Sequence, residues 1–328
     1  VVPYFQRLQK EGEEGRKKII QLTRYGTVLL AFLQSIGVAV FLTSYPSTAQ
    51  GPIVPNPGIA FIITTIIILV TGVIFVMWMG EQISDYGIGN GISIIIMVGI
   101  LSRAPHVFAQ QVNLITEGVI PGYAIVLLML GVFAILITAF VVYVSTGVRK
   151  IPVQYAKRVV GRKVYGGQAS HIPLKILTAG VMPIIFAQAL MFIPNTLASF
   201  FPVGSKFGES LTIWFSPTHF VYSFIFGILI IVFTYFYTAM AFNPVDVADN
   251  MKKQGGFIPG VRPGKNTAEY IDNILTRLTL PAAVFLAFVA VLPAILIAFN
   301  KDIDYSLASF FGGTSLLIIV GVALDTLQ

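Results

Sequence analysis

The side chains that could carry catalysis in this chain are few and scattered. Three histidines stand at His106, His171 and His219, far apart in the sequence, and cysteine is absent. No HExxH or GxSxG run and no pair of carboxylates within an apolar segment accompanies them, so a zinc hydrolase, a serine nucleophile and an intramembrane acid pair have no residues to work with. Without thiols there are no Cys-based metal sites, redox dithiols or disulfides. The run Gly87-Ile88-Gly89-Asn90-Gly91 has the glycine content of a nucleotide loop. No strand pattern precedes it, however, and the dinucleotide fingerprint is incomplete, so it reads as a tight turn into a helix. No catalytic residue, cofactor or metal is expected.

Binding chemistry is better represented. Between residues 146 and 175, Arg149, Lys150, Lys157, Arg158, Arg162 and Lys163 are interleaved with Tyr155 and Tyr165. That composition suits RNA phosphates or an acidic protein surface, and equally suits lipid headgroups. Between residues 243 and 277 lies Gly255-Gly256-Phe257-Ile258-Pro259-Gly260-Val261-Arg262-Pro263-Gly264. Two Pro-Gly steps enforce sharp turns on either side of Arg262. A cation presented on a fixed tip loses less ordering entropy on docking than one on a floppy segment, although charged loop tips are also common without function. Both connections run to about thirty residues, long enough to be functional rather than mere links.

The elements that position these loops are apolar runs. The 328 residues are 56% hydrophobic and 11% charged, with mean hydropathy +0.84 and net charge +7. Soluble domains carry about 25% charged residues, so a soluble enzyme is excluded. Eight runs approach or exceed the roughly 20 residues that cross a bilayer core: 25–43, 58–80, 91–109, 120–145, 176–201, 218–242, 278–299 and 306–324. Asp and Glu are absent from all eight, and Lys and Arg from all but the third, where Arg103 lies near one end. Ion-coupled pumps and voltage sensors keep charges at membrane depth, so neither is expected here. His219, at a predicted helix start, reads as an interfacial residue. Strand-like alternation does not recur, which argues against a β-barrel.

Basic residues give the orientation. Assigning connections alternately to the two sides places 18 of the 21 Lys and Arg on one side, leaving Arg103, Lys206 and Lys301 on the other. Segments 1–24, 81–90, 146–175 and 243–277 are therefore expected in the cytoplasm, with 81–90 acidic through Glu81 and Asp85. The opening Val1-Val2-Pro3-Tyr4-Phe5 reads as the end of a preceding helix.

Several motifs carry a resemblance that spans the chain. They are Lys10-Glu11-Gly12-Glu13 with Gly15-Arg16-Lys17-Lys18, Thr23-Arg24-Tyr25-Gly26, and Trp78-Met79-Gly80-Glu81-Gln82 before Gly87-Ile88-Gly89-Asn90-Gly91-Ile92-Ser93. Further on stand Tyr155-Ala156-Lys157-Arg158, Phe242-Asn243-Pro244, the Phe257 to Gly264 segment and Phe311-Gly312-Gly313-Thr314-Ser315. On these the chain resembles the SecY family, the channel subunits of bacterial protein secretion.

The resemblance implies an all-α polytopic membrane protein of two pseudo-symmetric helix halves, here 1–118 and 119–328. The eight runs would be the third to tenth of ten spans, without the first span, the plug and most of the second. It also implies a mid-pore ring of aliphatic residues, matched by motif to Ile96, Ile185 and Ile318. A lateral gate would involve Gln34, Ser35 and Pro183, with Pro183 and Pro194 able to bend their helix. The partners implied are SecE and SecG, the SecA ATPase or a ribosome docking on Arg262, Lys157, Arg158, Arg162 and Lys163, signal sequences and nascent chains, and lipids of the bacterial cytoplasmic membrane. A solute transporter using midplane groups such as Gln34 and Thr138, and a stand-alone ribosome receptor, are the competing classes.

Overall fold

The structure, a computed structural model, describes residues 12–44, 54–116, 123–155, 158–160, 163–165, 169–198, 200–201, 205–299, 305–311 and 313–327. In chain order the elements are α1 (Glu13–Ser44), α2 (Ile59–Tyr86), α3 (Gly91–Leu101), α4 (Ala104–Thr116), α5 (Tyr123–Thr146), β1 (Val148–Tyr155), β2 (Arg158–Val160), β3 (Lys163–Tyr165), β4 (Ala169–Lys175), α6 (Met182–Ala198), α7 (Lys206–Trp214), α8 (Phe220–Ala241), α9 (Pro244–Lys253), β5 (Gly256–Phe257), α10 (Lys265–Phe299), α11 (Tyr305–Phe311) and α12 (Thr314–Leu327). Among the described residues seven helical stretches are long and apolar enough to cross a membrane, and Met182–Ala198 is a shorter apolar helix. Eight runs were expected. The fifth is helical only from Met182, after the turn that contains Gly180 at φ +59°. The third is interrupted at Ser102-Arg103, and the eighth is divided before Gly313, whose φ of +92° ends regular helix. Hydropathy measures apolar length and is blind to such breaks.

The backbone divides into two compact units, Val1–Ile92 with Phe192–Phe215, and Ser93–Met191 with Ser216–Gln328. The boundary expected at 118/119 lies outside the described residues.

In the first unit α1 and α2 pack side by side. Arg24 donates from Nε to Glu81 Oε1 at 2.8 Å and from Nη2 to Oε2 at 2.6 Å, a two-pronged pair that joins the charged ends of the helices. At 1.5 Å per residue, the 28 residues of α2 span about 42 Å, more than a bilayer core. Its apolar side chains, among them Ile67, Phe75 and Trp78, are exposed, as expected of a face whose solvent is lipid. The expected glycine turn follows. Ser84 donates its hydroxyl to the Gly80 carbonyl at 2.9 Å and accepts the Gly91 N–H at 2.9 Å. A Cβ on Gly91 would sit 2.0 Å from that same carbonyl oxygen, so only glycine lets α3 begin this close to α2. The end of α6 also belongs to this unit, where a Cβ on Gly37 would meet Thr196 at 2.7 Å.

In the second unit α8 lies along α10. Edge-on rings at 5.3 Å join Phe140 of α5 to Phe285 of α10, and Phe186 of α6 meets Tyr237 of α8 at 5.2 Å. Helix α10 has 35 residues, about 52 Å of rise, so it extends past a bilayer core. Its overhanging first turns supply Ile271 and Leu275 to a separate small core.

That core is the main feature hydropathy did not reveal. Segment 146–175, expected as a connecting loop, forms a sheet in the order β4-β1-β5 in which Ile151 pairs with Ile172 and Val153 with Ser170. Strand β1 alternates, burying Ile151 and Val153 while exposing Lys150, Pro152 and Gln154. Strand β5 comes from the other long connection and joins β1 at Gln154 and Tyr155. Ile151, Val153 and Leu174 of the sheet pack with Met251, Ile258, Ile271 and Leu275. Two loops that read as separate cationic arms are one folded platform.

Candidate functional site

Three helices of the second unit bring their aliphatic residues to one place. Val181, just before α6, and Ile318 and Val322 of α12 are buried together. Ile94, Ile96, Met97 and Ile100 of α3 and Ile185 of α6 pack against them while remaining partly exposed. Three pairs of the contributing residues stand four apart along the chain: 96 and 100, 181 and 185, 318 and 322. This spacing puts each pair on one helical face. The three isoleucines matched by motif thus meet in one cluster. Ile94, Met97, Ile100, Val181 and Val322 were missed, although the four-residue offset from each isoleucine would have found three of them.

Glycine makes the convergence possible. A Cβ on Gly321 would lie 2.1 Å from Val181 Cγ1, and one on Gly313 would lie 2.6 Å from Pro293 of α10. Without side chains at these two positions, α12 approaches both the start of α6 and the proline of α10. The cluster offers only aliphatic surface. An extended backbone in contact with it finds no hydrogen-bond partner, and a gap lined this way sheds water.

Gln34 and Ser35 lie on α1 in the first unit, and Pro183 lies in the second. Ser35 is 2% exposed and donates its hydroxyl back to the Phe32 carbonyl at 2.8 Å. Gln34 is exposed and makes no hydrogen bond among the described residues. Pro183 corrects an expectation. It is the second residue of α6 and buried, in the first turn where a missing N–H costs nothing, so it starts this helix instead of bending it. Pro194 is the proline inside α6. Thr138 bonds within its own helix, to the Ala134 carbonyl at 2.7 Å.

On the platform Arg262 is exposed at the tip of its loop. Gly260 and Gly264 take φ of +85° and +103°, and Val261 N–H returns to the Ile258 carbonyl at 3.0 Å, closing a turn with proline and glycine at its centre. Thr267 then donates its hydroxyl to the Arg262 carbonyl at 2.9 Å, tying the tip to the first turn of α10. Arg158 and Lys163 fall on one short hairpin, in the pairs Arg158 with Tyr165 and Val160 with Lys163. Lys157 and Arg162 lie outside the described residues. Asn243 caps α9, accepting from Val245 N–H at 3.1 Å and donating to Asp246 at 2.7 Å, with Pro244 in the first turn. His219 caps α8, its Nδ1 accepting from Val221 N–H at 3.2 Å, in keeping with a place at a helix start. Among the described residues no group of three or more His, Asp or Glu is placed to hold a metal.

Comparison with known proteins agrees with this geometry. The SecY family model matches residues 1–327. The protein translocase subunit SecY of Escherichia coli (strain K12) is 45% identical over 327 residues, covering 99% of this chain and 72% of the relative. The corresponding subunit of Halalkalibacterium halodurans is 44% identical over 334 residues, covering 100% and 75%. Among solved structures, one of a protein-conducting channel superposes with TM-score 0.65 at 18% identity, over 96% of this chain and 73% of that one. Sec61 from a canine ribosome-channel complex of the endoplasmic reticulum gives 0.61 at 17%, over 96% and 73%. The long apolar helices, their aliphatic meeting point and identity of this extent agree: the chain belongs to the SecY family, as a multi-pass channel subunit of a protein translocase and not an enzyme.

Proposed function

We propose that Ile96, Ile185 and Ile318 form the constriction through which secretory polypeptides pass the membrane, and that hydrophobic segments leave sideways through a gate carrying Gln34, Ser35 and Pro183. The observation that supports this reading is the meeting of three isoleucines, distant in sequence, in one aliphatic cluster. An aliphatic ring hinders ions at rest and yields around an extended chain without binding it strongly. Lateral release follows from transfer energies. A charged residue costs about 2.5 to 3.5 kcal/mol at mid-bilayer while Leu or Ile gains about 0.3 to 0.6, so a signal sequence of about ten apolar residues gains some 3 to 6 kcal/mol by moving to lipid. That gain is enough to shift a modest closed-to-open equilibrium.

In this reading the halves 1–118 and 119–328 enclose the pore in the bacterial cytoplasmic membrane. SecE and SecG accompany the chain, and a SecA ATPase or a translating ribosome supplies the driving force. The platform receives the motor through Arg262, and Lys157, Arg158, Arg162 and Lys163 contribute further basic contacts to it. Its support is that both long connections share one core, so a motor gripping the tip pushes on a folded body continuous with α10.

Because the chain has no cysteine, single cysteines at positions 96, 185 and 318 test the constriction in the full-length protein. A stalled secretory chain carrying one cysteine should form disulfides there and not at lipid-facing controls such as Ile67. Engaged chains that crosslink equally to the controls would move the constriction off these residues and reopen the transporter and receptor classes.

A further inference from the structure

Beside the aliphatic cluster the second unit holds a wetter space. A cavity of about 280 Å³ is lined by Arg103, Gln188, Tyr222, Ser223, Thr314 and Ser315, with Ile100 on its wall. Ile100 also packs against the cluster of Val181, Ile318 and Val322, so cavity and cluster share a side. Ser309 lines it as well, so six of the seven polar residues are hydroxyls or an amide, groups that both donate and accept and that keep such a space hydrated. Arg103 is the one charged side chain lining it, and among the described residues no Asp or Glu forms an ion pair with it.

Arg103 is placed by the break that hydropathy could not see. Its N–H reaches the Ile100 carbonyl at 3.2 Å, and its own carbonyl accepts from Val107 N–H at 3.1 Å, which holds it in the turn between α3 and α4. The distribution of basic residues puts this turn on the side opposite the cytoplasmic platform. A guanidinium presents a planar fork of donors that matches a carboxylate and repels a cation.

We propose that Arg103 is an exit-side holding residue: carboxylate side chains of an emerging polypeptide pair with it in this cavity, and acidic segments therefore resist sliding back. The proposal rests on the reading of Ile96, Ile185 and Ile318 as the constriction, since only then does a passing chain enter the cavity. The neighbouring hydroxyls and amide complete the solvation of the carboxylate oxygens that Arg103 leaves open. Neutral segments find no charge to pair with, and basic ones are repelled.

The test uses the full-length translocase in proteoliposomes and three secretory substrates that differ only in a run of four Asp, four Asn or four Lys. Each is halted after the run has crossed, energy is withdrawn, and the rate of backsliding is measured. In the unaltered channel the Asp run should persist about fivefold longer than the Asn run, the Boltzmann factor for one charge pair at 4 Å in water. Arg103→Lys should keep the ratio, Arg103→Gln bring it to one, and Arg103→Glu transfer the advantage to the Lys run. Raising salt should shrink it as screening tightens. An Asp-to-Asn ratio unchanged in Arg103→Gln overturns the proposal. So does a changed reversal potential in a KCl gradient with the ratio unmoved, which would make this a site for small anions. Crosslinking of the Asn substrate to a cysteine at position 318 separates the two levels: crosslinks with an unmoved ratio reject Arg103 alone, and absent crosslinks reject the constriction and the proposal with it.

Discussion

Replacing Gly321 with alanine adds one methyl group where none fits. A Cβ there lies 2.1 Å from Val181 Cγ1, roughly 1.3 Å inside ordinary contact. Val181 cannot swing aside freely, because it is buried and a β-branched side chain has few χ1 choices. The strain therefore passes to α12, whose Ile318 and Val322 flank the glycine in the same cluster. Overpacking of this size costs about 1 to 3 kcal/mol. Val181→Ala alone removes two methyl groups from a buried site, also costing about 1.5 to 3 kcal/mol. In the double variant the added methyl occupies the vacated space, so the penalties should fall short of their sum by at least about 1 kcal/mol. The assay is denaturation of the intact complex by SDS, followed by circular dichroism, for all four corners of the cycle. Ion leak through resting proteoliposomes, read in parallel, should rise in Gly321→Ala and return toward the original in the double variant. Additive penalties with unchanged leak would refute the account of how α12 meets α6.

Three further outcomes are expected. Ser84→Ala leaves the Gly91 N–H without its acceptor at the α2–α3 turn and should cost about 1 to 2 kcal/mol in the same titration, with Ser84→Thr largely neutral; equal losses in both would point to packing in place of the bond. Thr267→Val keeps the shape but removes the tie to the Arg262 carbonyl, so SecA binding should weaken severalfold while thermal stability falls by only about 1 kcal/mol; undiminished binding would detach docking from the rigidity of the tip. Replacing Lys157 and Arg158 together with glutamine should weaken SecA or ribosome docking and flatten its dependence on salt concentration, because fewer counterions are released; an unaltered slope would remove these two residues from the interface.

How far the chain could be read in advance differs from feature to feature. The glycine turn at residues 87–91 was legible, since glycine so dense has few uses and the chain must reverse there. The place of His219 at a helix start followed from the apolar run after it. The break at Ser102-Arg103 was hidden because neither residue forbids a helix and the apolar average is carried by neighbours on both sides. Pro183 was misread for want of a boundary: a proline bends a helix from the inside and begins one from the first turn, and only the observed start at Met182 distinguishes the two.

Composition and run length alone established a multi-pass helical membrane protein, and the placement of basic residues set an expected sidedness for its loops. These properties follow from transfer energies that add residue by residue and do not depend on which neighbour each residue meets. Motif resemblance added the family, and with it the three isoleucines. What only tertiary structure decided was convergence. Residues 146–175 and 243–277 build one core because the apolar face of β1 alternates toward α9 and α10, a pairing absent from either segment by itself. Ile96, Ile185 and Ile318 meet because Gly313 and Gly321 let α12 come close, and Arg103 turns from an incidental cation into a cavity-lining charge because α3 stops one residue before Ser102. Contacts between distant segments depend on backbone approach at atomic distances, and no local property of the sequence encodes that approach.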